Sequence, residues 1–180
     1  MENKIKNDLR MDKRLRAVFG EIDLGSVTSS PADTREGILA EQESEEAKQI
    51  KAITTMVSNS PHFKELVPEN GLVTTTKEFI SQPDGNRIKI QYIRPDTDEE
   101  LPCVYYIHGG GMMIYSCFDE MYAAWGRCIA RQGVAVAMVD FRNAMWESSA
   151  PEIEPFPAGL NDCVSGLKWV HASTKELNID

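Results

Sequence analysis

Two short apolar runs, residues 103–107 (CVYYI) and 134–139 (VAVAMV), limit what this chain can fold into. Each is continuous rather than alternating and too short for a helix, the pattern of a strand covered on both faces. Each is followed by apolar residues at helical spacing. The first run leads to Phe118, Met121, Tyr122, Trp125, Cys128 and Ile129, with Ser116 and Asp119 placed as a capping box and Gly133 as a stop. The second leads to Leu160, Cys163, Val164, Leu167 and Val170, behind Pro157. Such alternation implies a mostly parallel sheet with helices on both faces. Upstream, LVTTTKEFI (72–80) and NRIKIQYIRP (86–95) read as an antiparallel hairpin closed by SQPDG. The expected fold is α/β: an antiparallel first hairpin, then parallel strands with flanking helices.

Residues 1–66 differ in character. They are charged and helical in pattern, with Ser30 as an expected N-cap, Pro31 at the first helical position and Asp33 completing a capping box. Ile50, Ile53 and Val57 recur at helical spacing, so one narrow face is expected to pack on something. A division follows, with a helical region at 1–66 and the sheet at 67–180. The net charge of −9 and pI near 4.9 argue against nucleic acid or an anionic membrane as partner. The N-terminal stretch MENKIKNDLRMDKRLR has no apolar core of a secretory signal, and a cytoplasmic location is expected. Cys103, Cys117, Cys128 and Cys163 form no C-x-x-C pair and read as reduced thiols. His62, His108 and His171 are isolated, so neither a metal site nor a cofactor is expected.

Directly after the first apolar run come His108, Gly109, Gly110 and Gly111. Three consecutive glycines cost backbone entropy, which suggests a sharp bend or the close approach of another molecule. In open α/β sheets ligands bind at the carboxyl ends of strands, where this segment lies. The stretch GGGMMI supplies neither the G-x-G-x-x-G of a dinucleotide site nor the Gly-Lys-Ser/Thr of a phosphate loop. A plain glycine-rich turn is the bland alternative. The functional one is a pair of backbone N–H groups aimed at a developing oxyanion, with His108 organising the loop.

From about residue 72 onward the chain resembles the front half of an α/β-hydrolase of the hormone-sensitive-lipase-like (fold-3) family. The resemblance rests on an ordered set: the strand into His108-Gly109-Gly110-Gly111, the following helix, VDFR at 139–142, PFPAGLNDCVSGLKWV at 155–170, and a closing ELNID. It implies a carboxylic ester hydrolase acting on a small-molecule ester. Gly110 and Gly111 would be oxyanion donors, His108 and Gly109 would shape the loop, and 1–66 would be a helical cap. Residues 143–154 are longer and differently composed than the family's usual segment, so rim contacts do not transfer.

The family's G-x-S-x-G nucleophile elbow is expected beyond Asp180, with the acid and base of the triad later still. Ser165 sits inside a helical pattern and reads as a packing or surface residue, and His171 as a surface histidine. The chain alone is therefore expected to be inactive, and a non-catalytic binding or regulatory fragment of the same fold is the alternative. By resemblance, the 103–107 strand also lacks one neighbour. It is then an apolar edge prone to self-association.

Overall fold

The hairpin sets the frame. In the computed structural model, which describes residues 7–11, 13 and 34–180, β1 (Leu72–Ile80) pairs antiparallel with β2 (Arg87–Pro95). The turn is closed by the Ser81 N–H donating to the Asn86 carbonyl at 2.8 Å. Strand β2 then pairs antiparallel with β4 (Ala135–Asp140), and β4 pairs parallel with β3 (Cys103–Ile107). The sheet order is β1-β2-β4-β3, a mixed open sheet in which the later strands run parallel, as expected. The described residues belong to two compact units, Met1–Ser44 and Glu45–Asp180.

Side-chain alternation along β4 builds a core on each face of the sheet. Ala135, Ala137 and Val139 join Phe79, Ile88, Ile90 and Tyr92 beneath α5 (Ala158–Ala172). Val136 and Met138 join Ile93, Cys117 and Ala130, the last on α4 (Glu120–Ala130). Every residue of β4 is buried.

Both helices face the sheet differently from expectation. On α4 the buried residues are Ala123, Ala124, Gly126, Arg127 and Ala130, while Trp125 is exposed. On α5 they are Gly159, Asp162, Cys163, Gly166 and Val170, while Leu160, Val164 and Leu167 point outward. The reason is close approach. A Cβ on Gly126 would run into the Met138 sulfur and lie 2.9 Å from Ile93 Cδ1; one on Gly166 would run into the Tyr105 hydroxyl and lie 3.0 Å from Phe79 Cζ. Glycine lets each helix backbone touch the sheet, which turns part of the large-residue stripe aside. The start of α4 also departs from a simple capping box. The Ser116 N–H does donate to Asp119 Oδ2 (3.2 Å), but Ser116 Oγ accepts from the Phe118 N–H (3.1 Å), and the first helical N–H, of Glu120, is capped by Asn59 Oδ1 (3.2 Å). The stop falls as expected, with Gly133 at φ +86° after the helix.

Strand β3 lies at the sheet edge, as the resemblance implies. Its faces are the correction: expected to be covered on both, it leaves Val104 37% and Ile107 49% exposed. Just ahead of it Leu101 makes an isolated parallel bridge with Ile179, but among the described residues no strand pairs with the outer side of Cys103–Ile107.

Ahead of the sheet come α1 (Arg35–Gln42), α2 (Glu45–Ser58) and α3 (His62–Leu66). The expected cap at Ser30, Pro31 and Asp33 falls outside the described residues; α1 is capped instead by Thr34, whose hydroxyl accepts from the Gly37 N–H at 3.1 Å. In α2, Ile50, Ile53 and Val57 are exposed rather than packed. The helix is tied to the sheet unit by polar groups, Lys51 to Glu147 (2.9 Å) and, just past its end, Asn59 to Asp119 (2.9 Å). The short α6 (Thr174–Leu177) is anchored by the Tyr92 hydroxyl donating to the Leu177 carbonyl at 2.7 Å. No helix among the described residues is long and apolar enough to cross a membrane.

Candidate active site

At the carboxyl end of β3 the chain turns sharply through the glycines. Gly110 has φ +113° and Gly111 φ +65°. The Gly110 carbonyl accepts from the N–H groups of Met113 (3.1 Å) and Ile114 (3.3 Å), which closes the loop. A Cβ on Gly110 would collide with the Ile114 carbonyl oxygen, so the second glycine is required by space as well as by φ. Among the described residues, neither the Gly110 nor the Gly111 N–H donates to a backbone or side-chain acceptor. Gly111 lines a cleft of about 220 Å³ together with Met112, Met113, Ala144, Phe156 and Leu160.

His108 is buried beneath the loop. Its ring stacks on Phe141 (centroids 4.3 Å apart, planes 9° apart) and tilts against Tyr122 at 5.3 Å. Nδ1 donates to the Gly109 carbonyl at 2.8 Å, an assignment fixed by the acceptor, and the buried Nε2 has no partner among the described residues. Burial holds the imidazole below its ordinary pKa and so neutral, against the weaker upward pull of Asp140 and Asp119. Gly109 lies against Tyr122, whose hydroxyl oxygen would be 2.9 Å from a Cβ there. The histidine is thus packed into the floor, while the three glycines pass over it, Gly109 and Gly111 exposed and Gly110 half-buried.

The loop is continued by two non-glycine residues with positive φ, Met112 (59°) and Tyr115 (77°). Each such residue costs about 1–3 kcal/mol unless its surroundings enforce it. The enforcement comes from residues 143–146. Asn143 Nδ2 donates to the Tyr115 carbonyl (2.6 Å), the Ala144 N–H to Met112 O (3.0 Å), and those of Met145 and Trp146 to Met113 O (3.1 and 3.0 Å). Below them, the Asp140 carboxylate at the end of β4 accepts from the Ser116 hydroxyl (2.7 Å) and from the N–H groups of Cys117 (2.9 Å) and Ser149 (2.6 Å). None of these partners was read from the sequence. The segment carrying Asn143 (NAMWESSAPEIEP) has no helical or strand period, and a hydrogen bond across 28 positions leaves no spacing signal.

A second buried polar unit steadies the rim. Arg142 grips Asp162 through Nε (2.9 Å) and Nη2 (2.8 Å), and its Nη1 reaches Asp84 at 2.7 Å. Asp162 also accepts from the Ser81 hydroxyl at 2.5 Å. The Arg142 guanidinium pulls the Asp84 carboxyl below its usual range, and Asp162 drives Arg142 upward. Ser165 accepts from the Gln82 N–H (3.0 Å) and His171 is exposed in the last turn of α5, matching the packing and surface roles expected of them. The cysteines are free, Cys117 and Cys163 buried, the latter pushed up to about 12 chiefly by desolvation. Among the described residues no group of three or more His, Cys, Asp or Glu could hold a metal ion.

The fold recurs in solved proteins. The structure of esterase Est22 matches all of this chain with a TM-score of 0.93 and 51% identity, over 52% of its own length. Brefeldin A esterase, a bacterial homologue of human hormone-sensitive lipase, matches 84% of the chain with a TM-score of 0.60 and 28% identity, over 40% of its own length. Carboxylesterase NlhH of Mycobacterium tuberculosis is 34% identical over 117 residues, 64% of this chain and 33% of NlhH. The chain thus spans about half the length of Est22 and a third of NlhH. Its fold is that of the hormone-sensitive-lipase-like α/β-hydrolases. The BD-FAE family profile matches residues 90–180, just over half of the chain, and the chain belongs to that family.

Proposed function

We propose that this chain forms the oxyanion-binding front of a carboxylic ester hydrolase of the serine α/β-hydrolase type. The N–H groups of Gly110 and Gly111 hold the oxygen of the tetrahedral intermediate, while His108 and Gly109 shape the loop from below. The serine that attacks the ester, and the acid and base that serve it, are supplied from outside these 180 residues. On the same reading, residues 1–66 are the helical cap region that the resemblance implies. What supports the reading is the two consecutive glycine N–H groups without acceptors among the described residues, the second of them in a residue lining the 220 Å³ cleft, together with the esterase relatives. No covalent step belongs to the chain by itself, and chemistry without a cofactor is expected, since acyl transfer to serine needs only a nucleophile, a base and oxyanion donors.

The test is reconstitution. Co-expressed with the remaining half of Est22, the chain should hydrolyse short-chain nitrophenyl esters, and alone it should not. Stoichiometric labelling of a serine in the isolated chain by a fluorophosphonate, at Ser165 above all, would overturn the division of labour.

A further inference from the structure

Residues 143–147 join two parts of the 45–180 unit that have so far been described separately. One end grips the glycine loop through the four hydrogen bonds to the carbonyls of Met112, Met113 and Tyr115. The other end meets α2. Lys51 pairs with Glu147 at 2.9 Å, and the same ammonium lies 5.7 Å above the Trp146 ring. Trp146 in turn meets the Tyr115 ring edge-on at 6.5 Å, and Tyr115 meets Tyr122 at 5.7 Å, beside His108. A cleft of about 210 Å³, lined by Lys51, Thr55, Tyr115, Asp119, Trp146 and Glu147, separates the helix from the loop. Helix α2 therefore reaches the loop through this segment and through Asn59, not by close packing.

We propose that residues 143–147 form a brace that couples the docking of α2 to the order of the glycine loop, with Asn143 and Trp146 as positioning residues. The physical basis is that Met112 and Tyr115 hold positive φ only under external constraint, and the constraining segment is itself pinned by Lys51. Releasing Lys51 removes one tether from Trp146 and Glu147, loosens the four hydrogen bonds, and lets the loop relax away from the conformation that presents Gly110 and Gly111. The catalytic meaning of the brace rests on the proposed oxyanion role; the coupling does not.

Hydrogen exchange of the full 180-residue chain tests it, read in peptides covering 45–58 and 110–116. The amides of Met113 and Ile114, both bonded to the Gly110 carbonyl, report on the loop. Lys51→Met keeps the aliphatic stem and removes the charge. It should speed exchange in both segments, by roughly two- to fivefold, as expected for an exposed ion pair with a cation–π contact. Lys51→Arg should restore both, and Trp146→Ala should exceed Lys51→Met in both. If Lys51→Met leaves 110–116 unchanged, the brace is overturned, whether α2 loosens or not. Because the readout involves no ester, loss of the esterase reading would leave a positive result standing.

Discussion

Strands β3 and β4 are neighbours, pair in parallel, and are almost equally apolar, yet their surroundings are opposite. In β4 every residue is buried between β2 and β3 and between two helices. In β3, Val104 and Ile107 are open to solvent and the outer backbone edge has no partner among the described residues. Apolar content reports that a strand needs cover. It does not report whether the chain in hand provides it.

Truncation sharpens the contrast most. Met138→Ala in β4 should destabilise the chain by about 2–5 kcal/mol, whereas Ile107→Ala in β3 should cost well under about 1 kcal/mol because half the side chain is already wet. Urea midpoints decide it, and equal losses would mean that β3 is as covered as β4. The ends of β3 offer the next test. In the reconstituted esterase, Gly110→Ala should lower kcat about 100-fold, since its Cβ strikes the Ile114 carbonyl; Gly111→Ala, whose Cβ meets only the end of Met113, should cost less than about 10-fold.

A smaller effect is expected at the edge itself. We expect the lone chain to self-associate through β3, and Ile107→Lys should raise the monomer fraction in sedimentation velocity without lowering the urea midpoint. A wild-type chain that sediments as a monomer and unfolds cooperatively would refute the open-edge expectation. The smallest effect is titration. Burial lowers the pKa of folded His108, so the unfolded chain takes up the proton more readily. The stability it contributes is therefore complete above the ordinary histidine value of about 6.5 and declines as pH falls through that value toward the folded one. Thermal melts of His108→Phe should show a flatter decline between about pH 7.5 and 5.5 than wild type.

Much of this was readable from local chemistry. The SQPDG turn, the 72–80 and 86–95 strands and the Gly133 stop depend on neighbours in sequence, and they appear where expected. The glycine loop too is a contiguous signal. What sequence spacing could not carry was orientation: Gly126 and Gly166 decide which face of each helix touches the sheet, and they act through contacts with Met138, Ile93, Phe79 and Tyr105 on distant strands. The exposed Ile50–Ile53–Val57 face shows the same limit, since helical spacing alone does not supply a partner. Asn143 was unreadable for a further reason. A buried polar residue in an irregular loop resembles a solvated one until its donor or acceptor is located.

The strand order also sets a schedule. Strand β3 ends at Ile107, but β4, which pairs with it, ends only at Asp140, with α4 made in between. A ribosome adding roughly 5–20 residues per second needs about two to seven seconds to cover that interval. For that time β3 has no sheet neighbour on either side, while β2, the other strand that β4 will join, already has its hairpin partner β1. Synthesis therefore places this apolar edge strand in a waiting period that ends when β4 enters and bonds to both of its neighbours.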